Sequence, residues 1–109
     1  MAQVYKILGQ LSSTSTGNRL IYTCPASADA VVSTVFICHR GSTAGTYRFA
    51  ATTSTAAPST DAWLAFDVGI AANDFVALTV GITLSSGETI HAQGGTTAFS
   101  YTAFGSEIT

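Results

Sequence analysis

Charge is scarce in this chain. Only 9% of its 109 residues are Asp, Glu, Lys or Arg, against roughly 25% in an ordinary soluble domain. Lys6, Arg19, Arg40 and Arg48 are the only basic side chains. A coiled coil or helical bundle, which needs Glu, Lys, Arg and Leu at helical spacing, is thereby excluded. A net charge of −2 provides no basic stripe to neutralise phosphates, so nucleic acid is not an expected partner. Long apolar runs are missing too. The richest, 31–38, is interrupted by Ser33 and Thr34 and falls well short of the ~18 residues of a membrane-spanning helix. The opening ten residues have neither the basic stretch nor the apolar stretch of a signal peptide. A soluble protein made in the cytoplasm, with no membrane partner, is the expectation.

Cysteine and histidine number two each. With no C-x-x-C, H-x-H or H-E-x-x-H spacing, no metal or other cofactor is implied. If Cys24 ends one strand and Cys38 ends the next, about eight residues at ~3.3 Å each separate them along the strand direction. That distance is far beyond the ~7 Å a disulfide tolerates, so two free, mostly buried thiols are expected. His39 and His91 lie outside any nucleophile motif such as G-x-S-x-G, and His39 follows Cys38 directly, which on a strand sends the two to opposite faces. Each histidine is expected at a surface or interface. The six carboxylates are scattered singly, and no catalytic residue is assigned.

Small residues fill the place of charge: 17 Ala, 17 Thr and 12 Ser. Hydrophobic content of 47%, with 10% aromatic, is enough for a core and excludes disorder. Strand-like segments recur every ten to twelve residues, at 3–11, 19–24, 30–40, 46–51, 62–70, 75–84, 88–93 and 97–104, with turn chemistry between them. This spacing predicts one all-β domain over residues 1–109, a compact antiparallel β-sandwich of about eight strands, with a jelly roll among its forms. A polar turn is expected at 12–18, and 52–61 reads as a flexible surface loop. In 62–70, Leu64, Phe66, Val68 and Ile70 alternate with Trp63, Ala65, Asp67 and Gly69, which puts the first set in the core. In 75–84 the core set is Val76, Leu78, Val80, Ile82 and Leu84.

Strand 30–40 is apolar on both faces, Val31, Val35 and Ile37 on one and Val32, Phe36 and Cys38 on the other, so it packs on the core and on something else. Trp63, Phe75 and Phe104 point away from their strands' core sets, either under neighbouring loops or at a contact with a partner. Val31, Val35, Ile37, Trp63, Phe75 and Phe104 form the candidate assembly surface. One Lys and two Pro are few guards for sheet edges, so the edges are expected to be covered by other subunits.

Several segments carry a resemblance: Tyr5-Lys6-Ile7-Leu8-Gly9-Gln10, Ile21-Tyr22-Thr23-Cys24-Pro25-Ala26, Val32-Ser33-Thr34-Val35, Ile37-Cys38-His39-Arg40, Thr46-Tyr47-Arg48, Ala72-Asn73-Asp74 and Phe104-Gly105-Ser106-Glu107-Ile108. In this order they are similar to small virion proteins of tailed bacteriophages, including phages of cyanobacteria. His39 stands where that pattern has Asn, and Cys24 where it has an aliphatic residue. The resemblance implies a non-enzymatic structural component of the virion, foremost a capsid decoration (cement) protein. It would form a homo-oligomer, a trimer, and bind the major capsid protein or another virion protein. It transfers no site residue. Two alternatives remain open: a neck, tail or baseplate module that anchors a fibre, and a receptor- or carbohydrate-binding module suggested by Trp63 and the polar loop 52–61.

Overall fold

The computed structural model describes residues 3–13 and 17–109, so part of the turn expected at 12–18 lies outside the described residues. The strands are β1 (Gln3–Ser12), β2 (Arg19–Thr23), β3 (Asp29–His39), β4 (Gly45–Thr52), β5 (Trp63–Ile70), β6 (Asp74–Leu84), β7 (Thr89–Gly94) and β8 (Phe99–Ile108), with one 3-10 turn at Thr60–Ala62. Two four-stranded sheets pack face to face: a front sheet in the order β1-β8-β3-β6 and a back sheet in the order β2-β7-β4-β5. All their ladders are antiparallel. Only β4 and β5 are consecutive neighbours in one sheet; every other connection carries the chain across. The fold is a jelly roll. The last strand runs four residues past its expected end because β8 pairs with β1 on one side and β3 on the other up to Ile108. Its Gly105 approaches the β3 backbone so closely that a Cβ would stand 1.9 Å from the Val31 carbonyl oxygen.

The core lies between the sheets. Val32, Val35 and Ile37 of β3 and Phe99, Tyr101 and Ala103 of β8 meet Tyr22, Tyr47, Phe49, Ile90 and Ala92 from the back sheet. A line of β-bulges creases the front sheet at one level. The β1–β8 register shifts between Ile7 and Gly9, and both ladders of β3 shift between Val32 and Thr34. Ser33 is therefore one extra residue in β3, and it inverts the alternation beyond it. Val35 and Ile37, expected on an assembly surface, are fully buried in the core, while Phe36 and Cys38 face out. In β6 the same crease inserts two residues, 80 and 81, with Gly81 at φ +59°. Two insertions preserve the alternation, and Leu78, Val80 and Ile82 pack on the core as expected.

In β5 the register shifts twice, so that Phe66 and Asp67 together lie opposite Arg48, with Asp67 at φ +53°. Ile70, opposite Gly45, is buried, and Ala65, expected on the outer side, packs on the core. Leu64, Phe66 and Val68, expected in the core, are exposed instead, by 60%, 53% and 39%. The edge strands β1, β2, β5 and β6 all carry such shifts. A bulge twists an edge out of line with an approaching strand, so backbone geometry adds to the few guards that one lysine and two prolines provide.

The loop after β4 is not free. Thr52 and Thr89 both donate their hydroxyls to the Ser54 carbonyl at 2.6 Å, and Ala62 N–H donates to the Ser59 carbonyl at 3.0 Å. Thr89 and His91 lie on the outward side of β7, opposite Thr52 and Ala50, yet both are fully buried. Because the Thr89 hydroxyl donates to Ser54, it accepts from His91 Nε2–H at 2.9 Å, which leaves His91 Nδ1 to accept from Asn18 Nδ2 at 2.9 Å. His39 is buried as well, stacked on Phe99 at 4.5 Å with Nε2–H donating to the Thr43 carbonyl at 2.6 Å. Neither histidine lies at the surface or interface expected of it; both are buried within the chain.

Two outcomes follow. Phe49→Ala should cost about 3–5 kcal/mol in urea unfolding, as for other buried aromatics, and Phe66→Ala no more than about 1 kcal/mol. Burial holds the His91 pKa below its ordinary value. As pH falls through about 6.5, the unfolded chain binds a proton at His91 that the folded chain refuses, and stability drops. The urea midpoint should therefore be lower at pH 5.5 than at pH 7.5, with a smaller difference in His91→Gln.

Candidate interaction surfaces

Residues opposite one another across a ladder share a face, which allows the outer side of the front sheet to be read in rows. Phe75 lies beside Cys38 and Ser100; Phe36 beside Ala77 and Thr102; Phe104 beside Thr34 and Ile7; Val31 beside Thr83 and Ser106. Phe75 stacks on Phe36 at 5.8 Å, and Phe36 meets Phe104 edge to face at 5.7 Å. The result is a diagonal aromatic stripe that continues through Ile7 to Tyr5. Phe75, Ile7 and Tyr5 are exposed by 59%, 52% and 79%. Beside the stripe lies a groove of about 610 Å³ whose walls include Tyr5, Ile7, Val31 and Phe104. The outward rows of Phe75, Phe36 and Phe104 contain no charged residue. Arg40 stands at one end, its Nε–H donating to Ser100 Oγ at 2.8 Å.

Of the six residues expected at an assembly surface, Val31, Phe75 and Phe104 share this face. Val35 and Ile37 do not reach it, and Trp63 belongs to the back sheet. Phe36 joins the stripe in a way the sequence conceals, because one unmarked extra residue sets its direction. Tyr5 and Ile7 were missed among the six, although their alternation with Lys6 in the first strand was the signal that could have found them.

At the open end of the core, Lys6 pairs with Glu107 at 2.7 Å, and the Tyr22 hydroxyl donates to the same carboxylate. The hydrogen bond from Lys6, then that from Tyr22, holds Glu107 below the usual carboxylate range. Burial first, then Glu107, raises the Tyr22 phenol. This triad ties β2 to β8 across the two sheets and has a structural role. Both cysteines are free; Cys24 is buried, and its thiol is pushed up by burial and by Asp29, Glu107 and Glu88 in turn.

On the outer side of the back sheet, Trp63 pairs with Ala50, which pairs with the buried His91. The Trp63 ring meets Phe66 edge to face at 5.6 Å. Arg48 lies over the Phe66 ring, 3.8 Å from its centroid, and donates to Asp67 through Nε at 2.6 Å and Nη2 at 3.2 Å. Asp67 in turn is held below the ordinary aspartate value by that hydrogen bond.

No protein-family profile and no curated protein matches the sequence. Among solved structures, the chain superposes on one from Bacillus endospore appendages, described as disulfide-linked pili, with TM-score 0.54 and 12% identity over 99% of this chain and 87% of that one. It also superposes on a chain from infectious bursal disease virus, Gx strain, with TM-score 0.53 and 10% identity over 97% of this chain and 31% of that one. At such identities the likeness shows a shared sandwich fold. Tobacco streak virus coat protein aligns more loosely, with TM-score 0.39 and 12% identity over 95% of this chain and 84% of that one.

Destabilisation by acid should have a second phase in this region. Since Glu107 is held low, its contribution is complete above its unfolded value and is lost as pH falls below about 4.3. Glu107→Gln should flatten the urea midpoint between pH 5 and pH 3 and leave the His91 phase in place.

Proposed function

We propose that this chain is a non-enzymatic structural protein of a bacteriophage particle, a decoration protein that cements the capsid and works as a homo-oligomer, a trimer on our reading. The observation that carries this proposal is the uncharged aromatic face of the front sheet. A contiguous exposed apolar patch is uncommon on a monomer and marks a contact. The occupant we assign is a second copy of the chain. With no charge in the outward rows of Phe75, Phe36 and Phe104, a neighbouring copy can cover this face, head to tail around a three-fold axis, without stranding an unpaired ion of these rows. The sequence resemblance to phage virion proteins supports the setting. Repetition over a symmetric shell multiplies the binding energy of each small patch, which suits a protein of 109 residues.

Phe36→Asp should turn an oligomer at micromolar concentration into a monomer, as read by light scattering after size exclusion, while keeping the circular dichroism of a folded β-sandwich. Alkylation is a second readout. Cys38 lies on this face and should react in the dilute monomer and be protected in the oligomer, while Cys24 should react in neither. A strict monomer with constant Cys38 reactivity would overturn the self-association. Cryo-electron microscopy of particles decides the location: density at the capsid's own symmetry is expected, and density at the neck, tail or baseplate would replace the cement reading.

A further inference from the structure

The outer face of the back sheet carries a second feature, independent of the front-sheet stripe. A cleft of about 220 Å³ opens beside Arg48, lined by Thr46, Arg48, Asp67, Gln93, Gly94 and Gly95. Arg48 and Gln93 are opposite one another in the ladder, and the β5 bulge brings Asp67 up to the guanidinium. A Cβ at Gly95 would come within 3.1 Å of Thr46 Oγ1. The Arg48 guanidinium is fixed from two sides, by the carboxylate of Asp67 and by the Phe66 ring beneath it. The cost of that arrangement is visible in the backbone, because Asp67 holds a left-handed φ of +53° without being glycine. Strain of this kind persists where the surroundings over-determine it, and it clusters at binding sites.

From this geometry we infer that the cleft binds a neutral saccharide. The electrostatics select for neutrality. Asp67 already compensates Arg48, so an anion would meet the carboxylate and a cation the guanidinium. Nor do the described residues contain a group of three or more His, Cys, Asp or Glu able to hold a metal ion. What the cleft offers is a dense set of donors and acceptors: a guanidinium with five N–H groups of which the pair with Asp67 uses two, a carboxylate, a primary amide and a hydroxyl. A ligand that answers such a set without net charge carries adjacent hydroxyls, each both donor and acceptor. Phe66 and Trp63 do not line the cleft; they pack against each other and under Arg48, and so hold the guanidinium that a sugar would meet.

The test is an NMR titration of the full chain with glucose, galactose, mannose, N-acetylglucosamine and N-acetylgalactosamine, with sialic acid as the charged comparison. At least one neutral sugar is expected to shift the amides of Gly94 and Gly95 and the Arg48 side-chain signals. Arg48→Lys, which keeps the charge and loses the planar fork, and Gln93→Ala should each weaken binding by roughly tenfold or more. Both lie on the outer face and should leave the dispersed spectrum of a folded protein. Asp67→Gly relieves the strained backbone, so it should fold at least as stably while losing the shifts. Absence of shifts with every neutral sugar overturns the inference, as does unchanged affinity in Arg48→Lys and Gln93→Ala. Tighter binding of sialic acid than of any neutral sugar would also overturn it, by making Arg48 an anion receptor. These signals come from the back sheet, so their failure and a failure of front-face assembly are separately visible.

Discussion

The crease across the front sheet governs the rest of the structure. One extra residue at Ser33 shifts both ladders of β3 at the same point, and it sends Val32, Val35 and Ile37 into the core while turning Phe36 outward. Without it, period-two alternation would keep Val35 and Ile37 in phase with Val31 and bury Phe36. The core would then have lost two of its fully buried side chains, and the aromatic stripe its middle ring. The outward aromatic stripe and the hydrophobic core are thus set by the same backbone irregularity.

Strand positions were legible in the sequence because turns carry chemical marks. Pro25 follows β2, Asn73 adopts φ +54° before β6, and Gly87 takes φ +85° before β7. Facing direction was legible only where alternation survives. It survives in β6, where two residues enter the crease, and fails in β3 and β5, where single insertions occur. Ser33, Leu8 and Asp67 are ordinary residue types for a strand or turn, and nothing local marks them as insertions. A bulge is chosen by how two sheets must bend over one another, which is information held by the whole fold.

The buried histidines were hidden for a related reason. Thr89, His91 and Gln93 read as the solvent side of a short strand, and His91 does occupy the outward side of its sheet. What buries it is the segment after β4, drawn down by the Ser54 carbonyl. A stretch of Thr, Ser, Ala and Pro has every local property of a free loop. Its anchoring depends on partners more than thirty residues away. The back sheet consequently presents two textures, a covered polar network around His91 and an open cleft beside Arg48.

The connectivity sets an order of events in time. β8 stands between β1 and β3, so β1 has its in-sheet partner only when β8 has been made. Until then the front sheet lacks its second strand, and the apolar sides of β1 and β3 have nothing between them. With β4 and β5 the only sequence-adjacent pair of strands among the described residues, ordering the chain means closing long loops before most contacts are gained. Folding of the sandwich therefore waits for β8, and a particle that used many copies would draw on a pool of chains in which all eight strands had been made before any became competent to assemble.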